Sequence, residues 1–235
     1  MARLANKVLV ITGAGNGMGK AMAIRFAQEG AKVLASDRDE DWITATVKEI
    51  TDAGGTAVAD VTDVSDEAAV KTLIHRAVKE FGRLDILVNN AGIPDNFKTV
   101  VTATDETWDR VLKINLYAPF WACREAVSIM NTQSSGGVIL NVSSVGGLYG
   151  ALGGAAYVAS KHGVIGLTKN IAATYGVQGK VRANALAPGT IQTNIRAAIT
   201  DPDPMGDQAL RDAGGYSGPQ GTGEDMANAA VSGIR

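Results

Sequence analysis

Residues 7–12, KVLVIT, form a short apolar, β-branched run that enters GAGNGMG at 13–19 directly. Residues 20–29 then place Met22, Ile24, Phe26 and Ala27 at helical spacing before Gly30. An unbroken apolar run of this length reads as a strand buried on both faces of a parallel sheet, and Gly30 reads as a helix stop. Strand, glycine turn and helix in direct succession constrain the fold more than any other feature of the chain. Small residues there let backbone N–H groups approach a pyrophosphate at a helix N-terminus, where the helix dipole favours an anion. The spacing is G-x-x-x-G-x-G rather than the commoner G-x-G-x-x-G, and a plain tight turn is the competing reading.

The pattern then repeats. A second strand at 32–36 ends at Asp37, eighteen residues past Gly19; residues 42–53 are helical and stop at Gly54 and Gly55; a third strand spans 56–61. Asp66 and Glu67 open a helix that reaches Phe81 and Gly82, and a fourth strand at 84–88 ends in Asn89, Asn90, Ala91 and Gly92. Strands alternating with helices imply βαβ units with right-handed crossovers, hence an α/β fold: a three-layer, doubly wound parallel sheet of the Rossmann type, with ligands at the carboxyl ends of the strands. A single domain over residues 1–235 is expected. A carboxylate at the end of the second strand accepts hydrogen bonds from adenosine ribose hydroxyls and repels a 2'-phosphate, so Asp37 favours NAD over NADP. Arg38, next in sequence, is able to offset that repulsion and keeps NADP as an alternative.

Residues 144–161, SVGGLYGALGGAAYVASK, hold a hydroxyl at Ser144, a phenol at Tyr157 and an ammonium at Lys161. Tyr157 and Lys161 are four apart and share one helix face. A free phenol has a pKa of roughly 10, and a cation within about 4 to 6 Å lowers such a value by about 1 to 3 units, so the pairing is expected to ease proton exchange with an alcohol. Ser144 follows the apolar run 137–142 and is expected at a strand's carboxyl end, where it holds the same oxygen. A surface helix with an incidental Tyr and Lys is the bland reading of this motif taken alone.

Composition removes other classes. The chain is 46% hydrophobic and 20% charged with a net charge of -2, without a basic stripe for nucleic acid. It has no run of 18 or more apolar residues and no charged-then-apolar leader, so neither a membrane span nor secretion is expected. Cys123 is the only cysteine, which excludes an internal disulfide and fits a reducing cytoplasm. With His75 and His162 the only histidines, no metal-ligand spacing occurs, and both read as structural.

Taken together and in order, Thr12-Gly13-x-x-x-Gly17-x-Gly19, Asn89-Asn90-Ala91-Gly92, Asn115 in TWDRVLKINLYAPF, Ser144, Tyr157-x-x-x-Lys161 and Pro188-Gly189 resemble the classical short-chain dehydrogenase/reductase family, from residue 7 to about 193. The resemblance implies that Gly13, Asn16, Gly17, Met18 and Gly19 hold the cofactor pyrophosphate. It implies that Asp63-Val64 contacts adenine, with Asp60-Val61 as the alternative, and that Asn90, Ala91 and Gly92 face the adenosine ribose while Asn89 ties neighbouring strands together. Tyr157 is then the general acid/base and Ser144 the hydrogen-bond partner of the substrate oxygen. Lys161 binds the nicotinamide ribose and lowers the tyrosine's pKa, Asn115 holds a water linking that lysine to solvent, and Pro188, Gly189, Ile191 and Thr193 contact the nicotinamide. From the residues alone, a buried side-chain to backbone hydrogen bond accounts for Asn115 equally well.

The implied reaction is hydride transfer between NAD(H) and a secondary alcohol or ketone, with Tyr157 exchanging the hydroxyl proton. An NADPH-dependent 3-oxoacyl thioester reductase of the acyl-carrier-protein type and a non-catalytic NAD-binding sensor or scaffold are the alternatives. Substrate choice is expected in residues 93–98, 145–156 and the segment after Thr193. The middle stretch is uncharged and favours an apolar or uncharged substrate. Residues of about 190–223, punctuated by Pro and Gly, read as a mobile lid or as a disordered tail. Residues 224–234 resemble the family's penultimate helix, and the chain ends at Arg235 where the family continues into a last strand, so the sequence is shortened or the sheet lacks an edge strand. A homodimer or a homotetramer is expected, the tetramer being put in doubt by that ending.

Overall fold

The structure, a computed structural model, describes residues 2–177, 179–215, 217 and 219–234. Six strands, β1 (Val8–Thr12), β2 (Lys32–Asp37), β3 (Thr56–Val61), β4 (Ile86–Asn89), β5 (Gly137–Val142) and β6 (Val181–Leu186), form one parallel sheet in the order β3-β2-β1-β4-β5-β6. Order reverses between β1 and β4, and a crevice opens at such a switch point. β1 is buried along its whole length, as its unbroken apolar run requires. Its residues alternate between faces: Leu9 and Ile11 pack into one core, Val8 and Val10 into the other.

The described residues form the α-helices α1 (Gly17–Gln28), α2 (Glu40–Asp52), α3 (Glu67–Phe81), α4 (Asp105–Leu112), α5 (Ala118–Thr132), α6 (Ala155–Tyr175), α7 (Pro204–Asp212) and α8 (Gly223–Gly233), of which α1, α2 and α8 cover one face of the sheet and α3, α5 and α6 the other. Met22 and Phe26 of α1, Ile43 and Ile50 of α2 and Val231 of α8 fill the first core. Leu73 and Ile74 of α3, Met130 of α5 and Ile171 of α6 fill the second. Full burial of each such side chain contributes about 1.5–3 kcal/mol.

Helix starts carry the expected caps. The Asp39 side chain accepts from Trp42 N, and Asp66 from Ala68 N and Ala69 N. α1 begins inside the glycine turn, three residues before the periodic apolar pattern, because Asn16 caps it by accepting from Gly17 N. A π-helical turn, Lys113–Tyr117, separates α4 from α5 and carries Asn115. The segment after β6 contains the short 3₁₀ turn Asn194–Ala198 and α7, where sequence pattern suggested only a lid or a tail. Asp203 caps α7 and Pro204 occupies its first turn, both ordinary start signals.

Candidate active site

A cleft of about 310 Å³ opens at the carboxyl ends of the strands, beside the switch point. Gly13, Asn16, Gly17, Met18, Gly19, Asp37, Arg38, Asp63, Val64, Asn90, Ala91, Gly92 and Thr193 line it, together with Trp42, Thr62, Pro94 and Ile195. The glycine turn is a cradle that a side chain would fill. Gly13 and Gly17 have φ of +65° and +55°, and a Cβ at Gly19 would overlap the Gly13 carbonyl. Gly15 lies so close to α2 that its Cβ would sit 2.8 Å from the Trp42 Cβ and 2.9 Å from Asp37 Oδ2. A 12-residue helix points its N-terminus at this cradle, an arrangement that fits the pyrophosphate of a dinucleotide.

Asp37 Oδ2 accepts from Gly15 N at 2.9 Å and its Oδ1 from Asp39 N at 3.1 Å, so the carboxylate is fixed against the glycine turn. The two Asp-Val pairs part company. Asp63 and Val64 face the cleft, whereas Asp60 is buried and bonded to Arg76 and Thr62. Asn90 Nδ2 donates to the carbonyls of Thr12 and Gly13 at 3.0 Å each, stitching the ends of β1 and β4. Asn89 does the same for β4 and β5, donating to Asn141 Oδ1 at 2.8 Å.

The second space, of about 630 Å³, adjoins the first, since Pro94 and Ile195 line both. Ser144 and Tyr157 lie on its wall with Val145, Leu152, Gly189, Ile191, Ile199 and Leu210. Ser144 follows β5 and accepts from Gly146 N at 3.1 Å, which fixes its oxygen. Lys161, one turn past Tyr157 on α6, is 4% exposed and donates to the Val142 carbonyl at 2.9 Å. Its Nζ lies 5.8 Å from the centre of the Tyr157 ring. A Cβ placed on Gly92, in the dinucleotide cleft, would come within 3.4 Å of that same Nζ. The ammonium therefore stands between the two spaces.

Asn115 Oδ1 accepts from Ile93 N at 2.8 Å, while its Nδ2 donates to Ile93 O at 2.9 Å and to Ser160 Oγ at 3.2 Å. Its side chain is thus spent on holding the strand exit and α6. Pro188 lines neither space, and its carbonyl accepts from Val145 N at 2.9 Å. His75 is exposed and 3.1 Å from Glu125, and His162 Nδ1 is 2.9 Å from the Val158 carbonyl, away from both spaces.

Spacing brings the Lys161 ammonium beside the phenol, whose pKa the surroundings nonetheless hold above its ordinary value. Burial is the main cause, a hydrogen bond with Ser144 opposes it, and the Asp95 charge adds to it. Burial also pulls Lys161 down to about 8, so it is still mostly charged at neutral pH. Spacing shows that two groups meet and not how much water they lose in meeting.

Sequence reading missed Asp95, which is 2% exposed and lines the second space. It also missed Trp42, set in the first turn of α2 beside Gly15. Asp95 sits between Pro94 and Asn96 and carries only a turn signal. Among the described residues no group of three or more His, Cys, Asp or Glu could hold a metal ion, and no helix is long and apolar enough to cross a membrane.

Residues 7–204 match a family model described as short chain dehydrogenase. The 3beta-hydroxysteroid dehydrogenase 2 of Eggerthella lenta is 40% identical over 230 residues, 97% of this chain and 87% of that protein. The 3-oxoacyl-acyl-carrier-protein reductase FabG of Thermotoga maritima is 42% identical over 199 residues, 85% of this chain and 80% of that protein. A short-chain dehydrogenase/reductase from Burkholderia phymatum, solved in complex with NAD, superposes with a TM-score of 0.85 at 30% identity over 99% of this chain and 86% of that one.

Proposed function

The chain belongs to the short-chain dehydrogenases, oxidoreductases of hydroxyl and keto groups, and we propose that it transfers hydride between NAD(H) and an apolar, ring-containing secondary alcohol or ketone of the hydroxysteroid type. The observation that carries this reading is the position of the Lys161 ammonium, beside Gly92 in the dinucleotide cleft and 5.8 Å from the Tyr157 ring in the apolar cavity.

Gly13, Asn16, Gly17, Met18 and Gly19 hold the cofactor's pyrophosphate on backbone N–H groups, Asp37 the adenosine ribose, and Asp63 and Val64 the adenine edge. When bound, the nicotinamide supplies or accepts the hydride. Tyr157 takes or gives the proton at the substrate oxygen, and the Ser144 hydroxyl, fixed by Gly146 N, holds that oxygen in place. Lys161 keeps a positive charge beside the phenol and favours its ionised form once substrate is present. Asn115 keeps the strand exit and α6 in register.

Asp37 supports NAD over NADP, because its carboxylate occupies the ribose end of the cleft and is anchored by two backbone N–H groups. The wall of Val145, Leu152, Ile191, Ile199 and Leu210 supports a bulky apolar substrate, as does the hydroxysteroid dehydrogenase relative. A 3-oxoacyl thioester reductase is the second reading, favoured by the similarity to FabG. A homo-oligomer is part of the proposal, with exposed Trp108 of α4, Tyr117 of the π-helical turn and Phe120 of α5 as the surface.

Reduction of NAD and of NADP, measured separately over aliphatic, aromatic, steroid and sugar alcohols, tests the reading. NAD with a 3β-hydroxysteroid is expected to give the highest kcat/KM. Preference for NADP with a 3-hydroxyacyl thioester, or for NADPH with the corresponding 3-oxoacyl thioester, would overturn it.

A further inference from the structure

We propose that Asp95 is a positioning residue for Tyr157: its carboxylate clamps the backbone that carries the phenol, sets its negative charge beside it, and ties both to the segment that covers the substrate cavity. This rests on the reading of Tyr157 as the acid/base.

α6 begins at Ala155 with Gly154 as its cap, a residue with no side chain to satisfy the first-turn amides. Asp95, 59 and 62 residues away in sequence, supplies the missing acceptors. Its Oδ1 accepts from Gly154 N at 3.1 Å and its Oδ2 from Tyr157 N at 2.8 Å. The fit leaves no slack, since a Cβ on Gly154 would lie 2.5 Å from both carboxylate oxygens. Tyr157 is thus held through its own peptide nitrogen.

The turn that delivers Asp95 is costly. Asn96 and Phe97 both adopt left-handed backbone, with φ of 55° and 54°, a region uncommon for non-glycine residues and an outlier for a bulky one. Strain of this kind persists only where surrounding contacts enforce it, and here they do. Phe97 N donates to Asp95 Oδ1 at 3.1 Å, and Ala155 N donates to Lys98 O at 2.8 Å. From the covering segment, Asp203 N donates to Asn96 O at 2.8 Å and Thr200 N to Asn96 Oδ1 at 3.2 Å. Gly206 of α7 packs so tightly on the Phe97 carbonyl that a Cβ there would overlap it. One strained turn therefore touches the start of the catalytic helix on one side and the cavity's cover on the other.

The charge acts in a definite direction. Lys161 from its own helix and Asp95 from the turn after β4 stand beside the phenol, and Asp207 and Arg211 of α7 line the same cavity. Burial pushes the Asp95 carboxyl up against its backbone hydrogen bonds, and its negative charge pushes the phenol up in turn. Without that charge the phenolate is less disfavoured, and the phenol titrates at lower pH.

The test is the pH profile of kcat for oxidation of whichever alcohol in the panel above is turned over fastest, in wild type, Asp95→Asn and Tyr157→Phe, with NADH affinity measured by fluorescence. Asparagine keeps one acceptor oxygen where the amides of Phe97, Gly154 and Tyr157 now share two, so Tyr157 loosens and plateau kcat is expected to fall roughly ten- to a hundredfold. The acid limb of the profile moves to lower pH while NADH affinity holds. An unmoved limb with wild-type kcat overturns the proposal for Asp95. Turnover retained in Tyr157→Phe overturns the reading of Tyr157 itself, so the two failures are distinct. If Asp95→Asn does not fold, Asp95→Ser removes the charge with less bulk and is read the same way: a limb at lower pH supports the proposal, and an unmoved limb overturns it.

Discussion

Replacing Lys161 by methionine sets two opposed terms against each other. The ammonium is 4% exposed, and burial pulls its pKa from the ordinary 10.5 to about 8. A displacement of that size holds on the order of 3 kcal/mol against folding whenever the group is charged. Methionine is of similar length and removes this cost, but it leaves the Val142 carbonyl without the donor now at 2.9 Å. That loss is about 1–3 kcal/mol. Near neutral pH the terms offset, and Lys161→Met is expected to fold within about 2 kcal/mol of wild type while losing turnover. Alkaline pH separates them. Between about 8 and 10.5 the folded wild type binds fewer protons at Lys161 than the unfolded chain does, so its stability rises through that window. The variant has no such group. Urea unfolding of both proteins across this range, fitted with a common slope, should show wild type gaining about 3 kcal/mol on the variant. Parallel curves would refute the argument that burial depresses this lysine.

Asp37→Ala removes the acceptor of Gly15 N and Asp39 N, and it should lower kcat/KM with NAD about tenfold or more while improving use of NADP. Paired kinetics with the two cofactors check this, and an unchanged NADP rate counts against the assigned role. Gly19→Ala drives a methyl into the Gly13 carbonyl, so NADH binding by fluorescence should be lost and Tm should fall. A variant that binds NADH normally would show that the glycine turn is not the pyrophosphate cradle.

The centre of the sheet was legible because its inner strands are apolar on both faces and its helices are not: KVLVIT and Val70, Leu73, Ile74 and Ala77 differ in period as well as in composition. The glycine turn was legible because its neighbours fixed its context. α7 was not, since Gly206 interrupts its apolar pattern for a reason 109 residues away, the approach of the Phe97 carbonyl. Its cap and first-turn proline, Asp203 and Pro204, are ordinary start signals, but no periodic apolar run follows them. Asp63 was preferred to Asp60 from the sequence, whereas the pairing of Asp60 with Arg76 shows only in the packing. Tyr157, Ser144 and Lys161 could be named from order and spacing, yet the direction in which burial moves the phenol, and the hold of Asp95 on Tyr157 N, depend on contacts that spacing does not encode.

The central claim is that the Tyr157 hydroxyl exchanges the substrate's proton beside a bound dinucleotide. Turnover of a 3β-hydroxysteroid with NAD by Tyr157→Phe, alongside NADH affinity of the same preparation, tests it most directly. Phenylalanine keeps the ring and its neighbours and removes the one oxygen at issue, so activity should drop at least about a hundredfold with NADH affinity unchanged. Wild-type turnover by this variant would contradict the account.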